Sequence, residues 1–123
     1  MYNKNIILNI LVNTFGKDIE TYVQDCIDKM EIEEIEEYFD QDIDYAVLAM
    51  INQMLVEDYE VEGGEGNQQI ISGTLEVKAE IDGWSKWEEI EVFKESAEIP
   101  IGLLYEFQVK DKKFSDLYLE YLY

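Results

Sequence analysis

From Ile71 to Asp82 every second residue is apolar or glycine: Ile71, Gly73, Leu75, Val77, Ala79 and Ile81 alternate with Ser72, Thr74, Glu76, Lys78, Glu80 and Asp82. A period of two places successive side chains on opposite faces of an extended chain, so this segment is a strand with one apolar and one polar face. Such a strand belongs to an antiparallel sheet whose apolar face is covered by something else. Asp82-Gly83 reads as a turn, closely followed by Trp84 and Trp87. A second strand is expected near Glu88 to Lys94, and a third from Ile99 through Ile101, Leu103, Tyr105, Phe107 and Val109. Pro100 puts the start of the third at an edge or strand entrance, because proline cannot donate to a ladder. Asp111-Lys112-Lys113 marks a tight turn before a last strand with Leu117, Leu119 and Tyr121 on one face.

The first half of the chain reads as helical. Residues 3–15 carry Ile7, Leu11 and Phe15 at four-residue spacing, and Ile6, Leu8, Ile10 and Val12 broaden the stripe toward burial on more than one side. Gly16 reads as a helix stop. Ile19, Tyr22, Val23, Cys26, Ile27 and Met30 then form a second amphipathic helix, with Ile32, Ile35 and Phe39 continuing it or forming a short one. Asp40 or Asp42 would cap a third, central helix on which Ile43, Val47, Met50, Ile51 and Met54 share a stripe. Gly63-Gly64-Glu65-Gly66-Asn67 reads as a hinge. The expectation is therefore one α+β domain over 1–123, with a helical half (1–62), a glycine-rich hinge (63–67) and a β half (68–123). The helices would pack on an antiparallel meander of about four strands.

The chemistry of the side chains narrows the function. Histidine is absent, and all nine cationic residues are lysines. The commonest general base, the commonest metal ligand and the bidentate arginine clamp for phosphate are thus missing. The glycine-rich segment lies among Glu60, Glu62 and Glu65 and lacks a following Lys-Ser or Lys-Thr, so it does not suit a phosphate. Asp40, Asp42 and Asp44 open like a calcium loop, but Tyr45 and Ile51 stand where that loop needs Gly and Glu. Cys26, the single cysteine, sits on the apolar stripe as a buried thiol. No catalytic residues, cofactor or metal site are expected. Neither a leader peptide nor a membrane span is legible, which points to a cytoplasmic protein.

Charge remains to be explained. The chain holds 29 acids against nine lysines, a net charge of -20. Between Asp18 and Glu65 seventeen acids face one lysine, Lys29. Such a surface repels nucleic acid and anionic lipid and attracts cationic protein surfaces. Acids three or four residues apart on a helix lie about 5–6 Å apart at Cβ, comparable with the charge density of a nucleic-acid backbone. The expected partner-binding residues are Asp28, Glu31, Glu33, Glu34, Glu36, Glu37, Tyr38, Asp40, Asp42, Asp44, Tyr45, Glu57, Asp58, Tyr59, Glu60 and Glu62, with the tyrosines as anchors among the acids. The expected function is that of a non-enzymatic inhibitor that docks on the basic nucleic-acid-binding surface of a partner. In size and acidity the chain is similar to phage-encoded anti-restriction and anti-CRISPR inhibitors, a likeness of class without a family motif. An immunity protein or antitoxin against a basic toxin or nuclease, and a non-catalytic adaptor domain, are the alternatives.

Overall fold

The computed structural model describes residues 1–40, 42–64, 66–87 and 90–123, and their side chains except at 86–87 and 90–94. The architecture is α+β: an N-terminal helix is followed by a four-stranded antiparallel meander. Helix α1 spans Lys4–Lys29, a short α2 spans Ile32–Glu36, and the strands are β1 (Tyr45–Gly63), β2 (Gln69–Trp87), β3 (Ile90–Lys110) and β4 (Lys113–Tyr121). Sheet order follows chain order, β1-β2-β3-β4.

One uninterrupted α1 replaces the two helices expected on either side of Gly16. Asn3 caps it, its Oδ1 accepting the Ile6 amide at 2.9 Å. Gly16 lies inside the helix, where a Cβ would meet nothing within 4 Å. The tertiary gain from a continuous buried stripe of Ile7, Leu11, Phe15, Ile19, Val23 and Ile27 outweighs the propensity cost of one glycine. Burial is one-sided, contrary to expectation: Ile6 is 40% and Val12 47% exposed. Helix α2 is separate, and it buries Ile35, with Phe39 buried just beyond it.

The largest correction concerns the expected central helix. Its residues form the first half of β1, an extended strand of 19 residues. The cause lies in the register with β2, which slips between Leu48 and Met50, between Ile51 and Gln53, and between Val56 and Asp58. Each slip inserts one extra residue (Ala49, Asn52 and Glu57), as in a β-bulge. The residues paired with the buried face of β2 are therefore Ala46, Leu48, Ile51, Met54, Val56, Tyr59 and Val61. Their gaps of two and three residues imitate helical spacing. Among the described residues no helix follows Asp40 or Asp42 for them to cap. Instead the Asp42 carbonyl accepts the Ser85 hydroxyl at 2.6 Å, and the Asp44 amide donates to the Trp84 carbonyl at 2.8 Å, leading the chain into β1.

The glycine-rich segment is the β1–β2 hairpin connection rather than a hinge between halves. The Gly64 amide donates to the Gln68 carbonyl at 2.7 Å, and Gly66 takes the left-handed conformation at φ 64°. Asp82-Gly83 does not turn. Strand β2 runs through it, and Gly83 is needed because the Phe39 ring lies 2.9 Å from where a Cβ would be. The two strands expected at 88–94 and from 99 are one strand, β3; Glu88 and Glu89 lie outside the described residues. Pro100 sits where β3 runs on past the paired part of β4, which fits its missing donor. The expected turn at Asp111 and Lys112 is present, with φ of 52° and 63°, the double left-handed geometry that suits a two-residue hairpin.

The inner face of the sheet carries Ile71, Leu75, Val77, Ala79 and Ile81 from β2 and Ile101, Leu103, Tyr105 and Phe107 from β3, all buried against the stripe of α1. The sheet curls until both outer strands meet the helix. On β1 the Leu48 amide donates to Gln24 Oε1 at 3.0 Å, and on β4 the Tyr121 amide donates to Tyr22 Oη at 3.0 Å. These contacts satisfy edge donors that would otherwise be open to strand addition. Among the described residues no helix is long and apolar enough to cross a membrane.

Candidate protein-binding surface

The register fixes which side chains share the outer face of the sheet, since directly paired residues point the same way. One row runs Glu60, Ser72, Glu106, Tyr118 across β1 to β4. The next runs Asp58, Thr74, Leu104, Glu120, and beyond it Leu55 pairs with Glu76 and Glu76 with Gly102. Farther along, Gln53, Lys78 and Pro100 form a row, then Met50, Glu80 and Glu98, then Val47, Asp82 and Ser96. Glu62 opposes Ile70 at the hairpin end. Carboxylates thus recur along β1, β2 and β3 at multiples of roughly 6.6–6.8 Å, on strands about 4.8 Å apart, with Glu120 added by β4. Lys78 is set among them.

This face is ordered by its own polar contacts. Ser96 Oγ donates to Asp82 Oδ1 at 2.6 Å, Asn52 Nδ2 to Glu98 Oε2 at 3.1 Å, and the Thr74 amide to Asp58 Oδ1 at 2.7 Å. Glu80 and Glu98 are directly opposed, a like-charge arrangement that costs stability. Apolar surface lies between the acids: Val47, Met50, Leu55 and Tyr118 are exposed, and Tyr45 stacks on Trp84 with ring centroids 6.4 Å apart.

The residues expected to bind a partner divide between two regions. Asp28, Glu31, Glu33, Glu34, Glu36, Glu37, Tyr38 and Asp40 surround the end of α1 and α2, and all are exposed except half-buried Glu36. Asp42 and Asp44 lead into β1, with Tyr45 at its first residue. Glu57, Asp58, Tyr59, Glu60 and Glu62 lie on its second half, about 40 Å along the strand from Tyr45 at some 3.3 Å per residue. Tyr59 faces inward, donating to the Tyr2 carbonyl at 3.3 Å. The acidic run is therefore not one continuous helical surface. Glu65 lies outside the described residues.

The sequence reasoning passed over Glu76, Glu80, Asp82, Glu98, Glu106 and Glu120. Alternation alone places Glu76, Glu80 and Asp82 on one face; pairing is needed to bring the acids of β1, β3 and β4 beside them.

At the end of α1 a cleft of about 280 Å³ is lined by Tyr22, Asp25, Cys26, Lys29, Met30, Glu34 and Tyr121. Burial, then the nearby Lys29 and Asp25 acting in opposite senses, leaves the Cys26 thiol with a raised pKa. The Tyr121 phenol is raised by burial first and then by Glu34, Cys26 and Tyr38. Among the described residues no three carboxylate or thiol side chains come together as a metal ligand set. Compared with known proteins, the chain matched no family model, no curated protein and no solved structure.

Proposed function

We propose that this chain is a non-catalytic binding protein whose acidic sheet face docks on the cationic, nucleic-acid-binding surface of a partner protein. The observation that carries the reading is the gathering of Asp58, Glu60, Glu76, Glu80, Asp82, Glu98, Glu106 and Glu120 on one side of the sheet. A face of this sign accelerates encounter with a cationic surface and makes binding dependent on salt. The Tyr45–Trp84 stack and exposed Met50, Leu55 and Tyr118 supply the apolar anchors that charge alone lacks. Inhibition follows from occupancy, because a channel filled by this face has no room for nucleic acid.

The test uses the immobilised chain and proteins of its source cell. Retained proteins should be released by moderate salt and by added duplex DNA or RNA. A variant carrying Glu60→Lys, Glu76→Lys, Glu80→Lys and Glu106→Lys should retain at least tenfold less of them, given that charged pairs across an interface contribute about 1.5 kcal/mol or more each. Retention that ignores nucleic acid and survives the four reversals sinks the proposal.

A further inference from the structure

The cleft at the end of α1 is lined by α1, its capping Met30, α2 and β4, and by none of the outer-face acids. It continues past Met30, Glu34 and Tyr121 into a second depression of about 250 Å³ that adds Glu37, Tyr38, Pro100 and Tyr123. Tyr22, Tyr38, Tyr121 and Tyr123 therefore line one connected groove, with Asp25, Glu34 and Glu37 among them. Its floor is built. Tyr22 Oη accepts the Tyr121 amide at 3.0 Å, and the Tyr123 ring covers Gly102, lying 2.4 Å from where a Cβ would be. The chain end is held there by the Gly102 amide donating to the Tyr123 carbonyl at 2.9 Å.

Phenol faces attract cations, and carboxylates at the rim add direct charge pairing. We propose that this groove receives an arginine side chain of a partner protein, with the guanidinium stacked on tyrosine and paired to Glu34 or Asp25. Arginine fits better than lysine because its planar, weakly hydrated head both stacks and donates along its edge. The volume suits one long side chain rather than a folded peptide segment. Lys29 shares the cleft, and its ammonium opposes the entry of a guanidinium of like charge. The inference rests on the reading of the chain as a binder of basic proteins, but it uses none of the outer-face acids.

The probe is the peptide acetyl-Gly-Arg-Gly-amide, titrated into the full chain while the tyrosine ring signals are followed by NMR. Saturable shifts are expected at Tyr22, Tyr38 and Tyr121. The same peptide with lysine should bind several-fold more weakly, and with citrulline, uncharged but similar in shape, not measurably. Glu34→Gln and Tyr121→Leu should each weaken binding roughly fivefold, and Lys29→Gln should tighten it. A variant with Glu60→Lys, Glu80→Lys and Glu106→Lys, which keeps the Glu76 near Tyr123, should bind the peptide as the parent does, which separates failure here from failure of the docking proposal. Equal response to citrulline, or binding unchanged in both Glu34→Gln and Tyr121→Leu, overturns the assignment.

Discussion

Replacing Gly73 with alanine probes the point where β1, β2 and β3 are most tightly joined. Gly73 faces the core between Tyr59 and Tyr105. A Cβ there would lie 2.2 Å from the Asp58 carbonyl oxygen and 2.8 Å from the Tyr105 hydroxyl. Those two atoms are themselves hydrogen-bonded, Tyr105 Oη donating to the Asp58 oxygen at 2.9 Å. The bulge at Glu57 turns that carbonyl inward, and glycine is what leaves it room. To admit a methyl group the β1 backbone must withdraw by about 1 Å. Overpacking of this kind costs about 1–3 kcal/mol, and a buried hydroxyl stripped of its partner costs about 1–3 kcal/mol more. The narrower unfolded ensemble of alanine returns about 0.4–1 kcal/mol. The net expectation is a loss of about 1–5.5 kcal/mol, a large share of a stability of about 5–15 kcal/mol. Equilibrium urea denaturation followed by circular dichroism measures it as a lower midpoint at unchanged slope. Tyr105→Phe, which removes only the hydrogen bond, should lose about 0.5–1.5 kcal/mol. A Gly73→Ala loss below about 0.5 kcal/mol refutes the reasoning. So does a Gly73→Ala penalty that vanishes in the Tyr105→Phe background, because the clash with the Asp58 carbonyl should remain there.

Two further outcomes test other parts of the fold. Gly16→Ala places a methyl group in open space within α1 and should stabilise the chain by about 0.5–1 kcal/mol in the same urea assay; a neutral or destabilising result would argue against a continuous helix. Burial, and then the charge of Asp58, raise the Tyr105 pKa above its ordinary value of 10.0. The unfolded chain therefore releases this proton at lower pH than the folded one. Stability from this group is complete below about pH 9 and falls as pH rises through 10 and beyond, by up to about 1.4 kcal/mol per pH unit. Urea midpoints taken from pH 8 to 11 should show that decline, and Tyr105→Phe should make it shallower, leaving the part due to the raised Tyr22 and Tyr121; an equal decline in the variant would assign it elsewhere.

The β half was legible where alternation was unbroken. Ile71 to Ile81 declares one buried face, and the structure keeps each of those side chains inward. Turn chemistry worked at Asp111-Lys112, where two left-handed residues close a hairpin, and failed at Asp82-Gly83. There the glycine answers a neighbour distant in sequence, the Phe39 ring, rather than a local bend. Strand β1 was misread because its three bulges spread the inner residues to mixed gaps of two and three. Val47 and Met50, on the outer face, then merged with inner Ile51 and Met54 into an apparent helical stripe. The acids of the candidate surface were all visible as acids, but their neighbours were not. Glu106 stands two strands from Glu60 and 46 positions later in the chain, and only the ladder makes them members of one row.

By itself the sequence determined the class of the fold, the helix-forming stripe of α1, the apolar face of β2 and β3, and the sign and size of the charge. Each of these depends on residue type and local periodicity, which the chain carries wherever it goes. Only the tertiary structure decided that residues 45–63 are strand and not helix, that Gly16 lies within a helix, and which carboxylates share a face. Those outcomes depend on pairing register and on side chains meeting across long sequence separations, where the gain from burying a common core outweighs local preference.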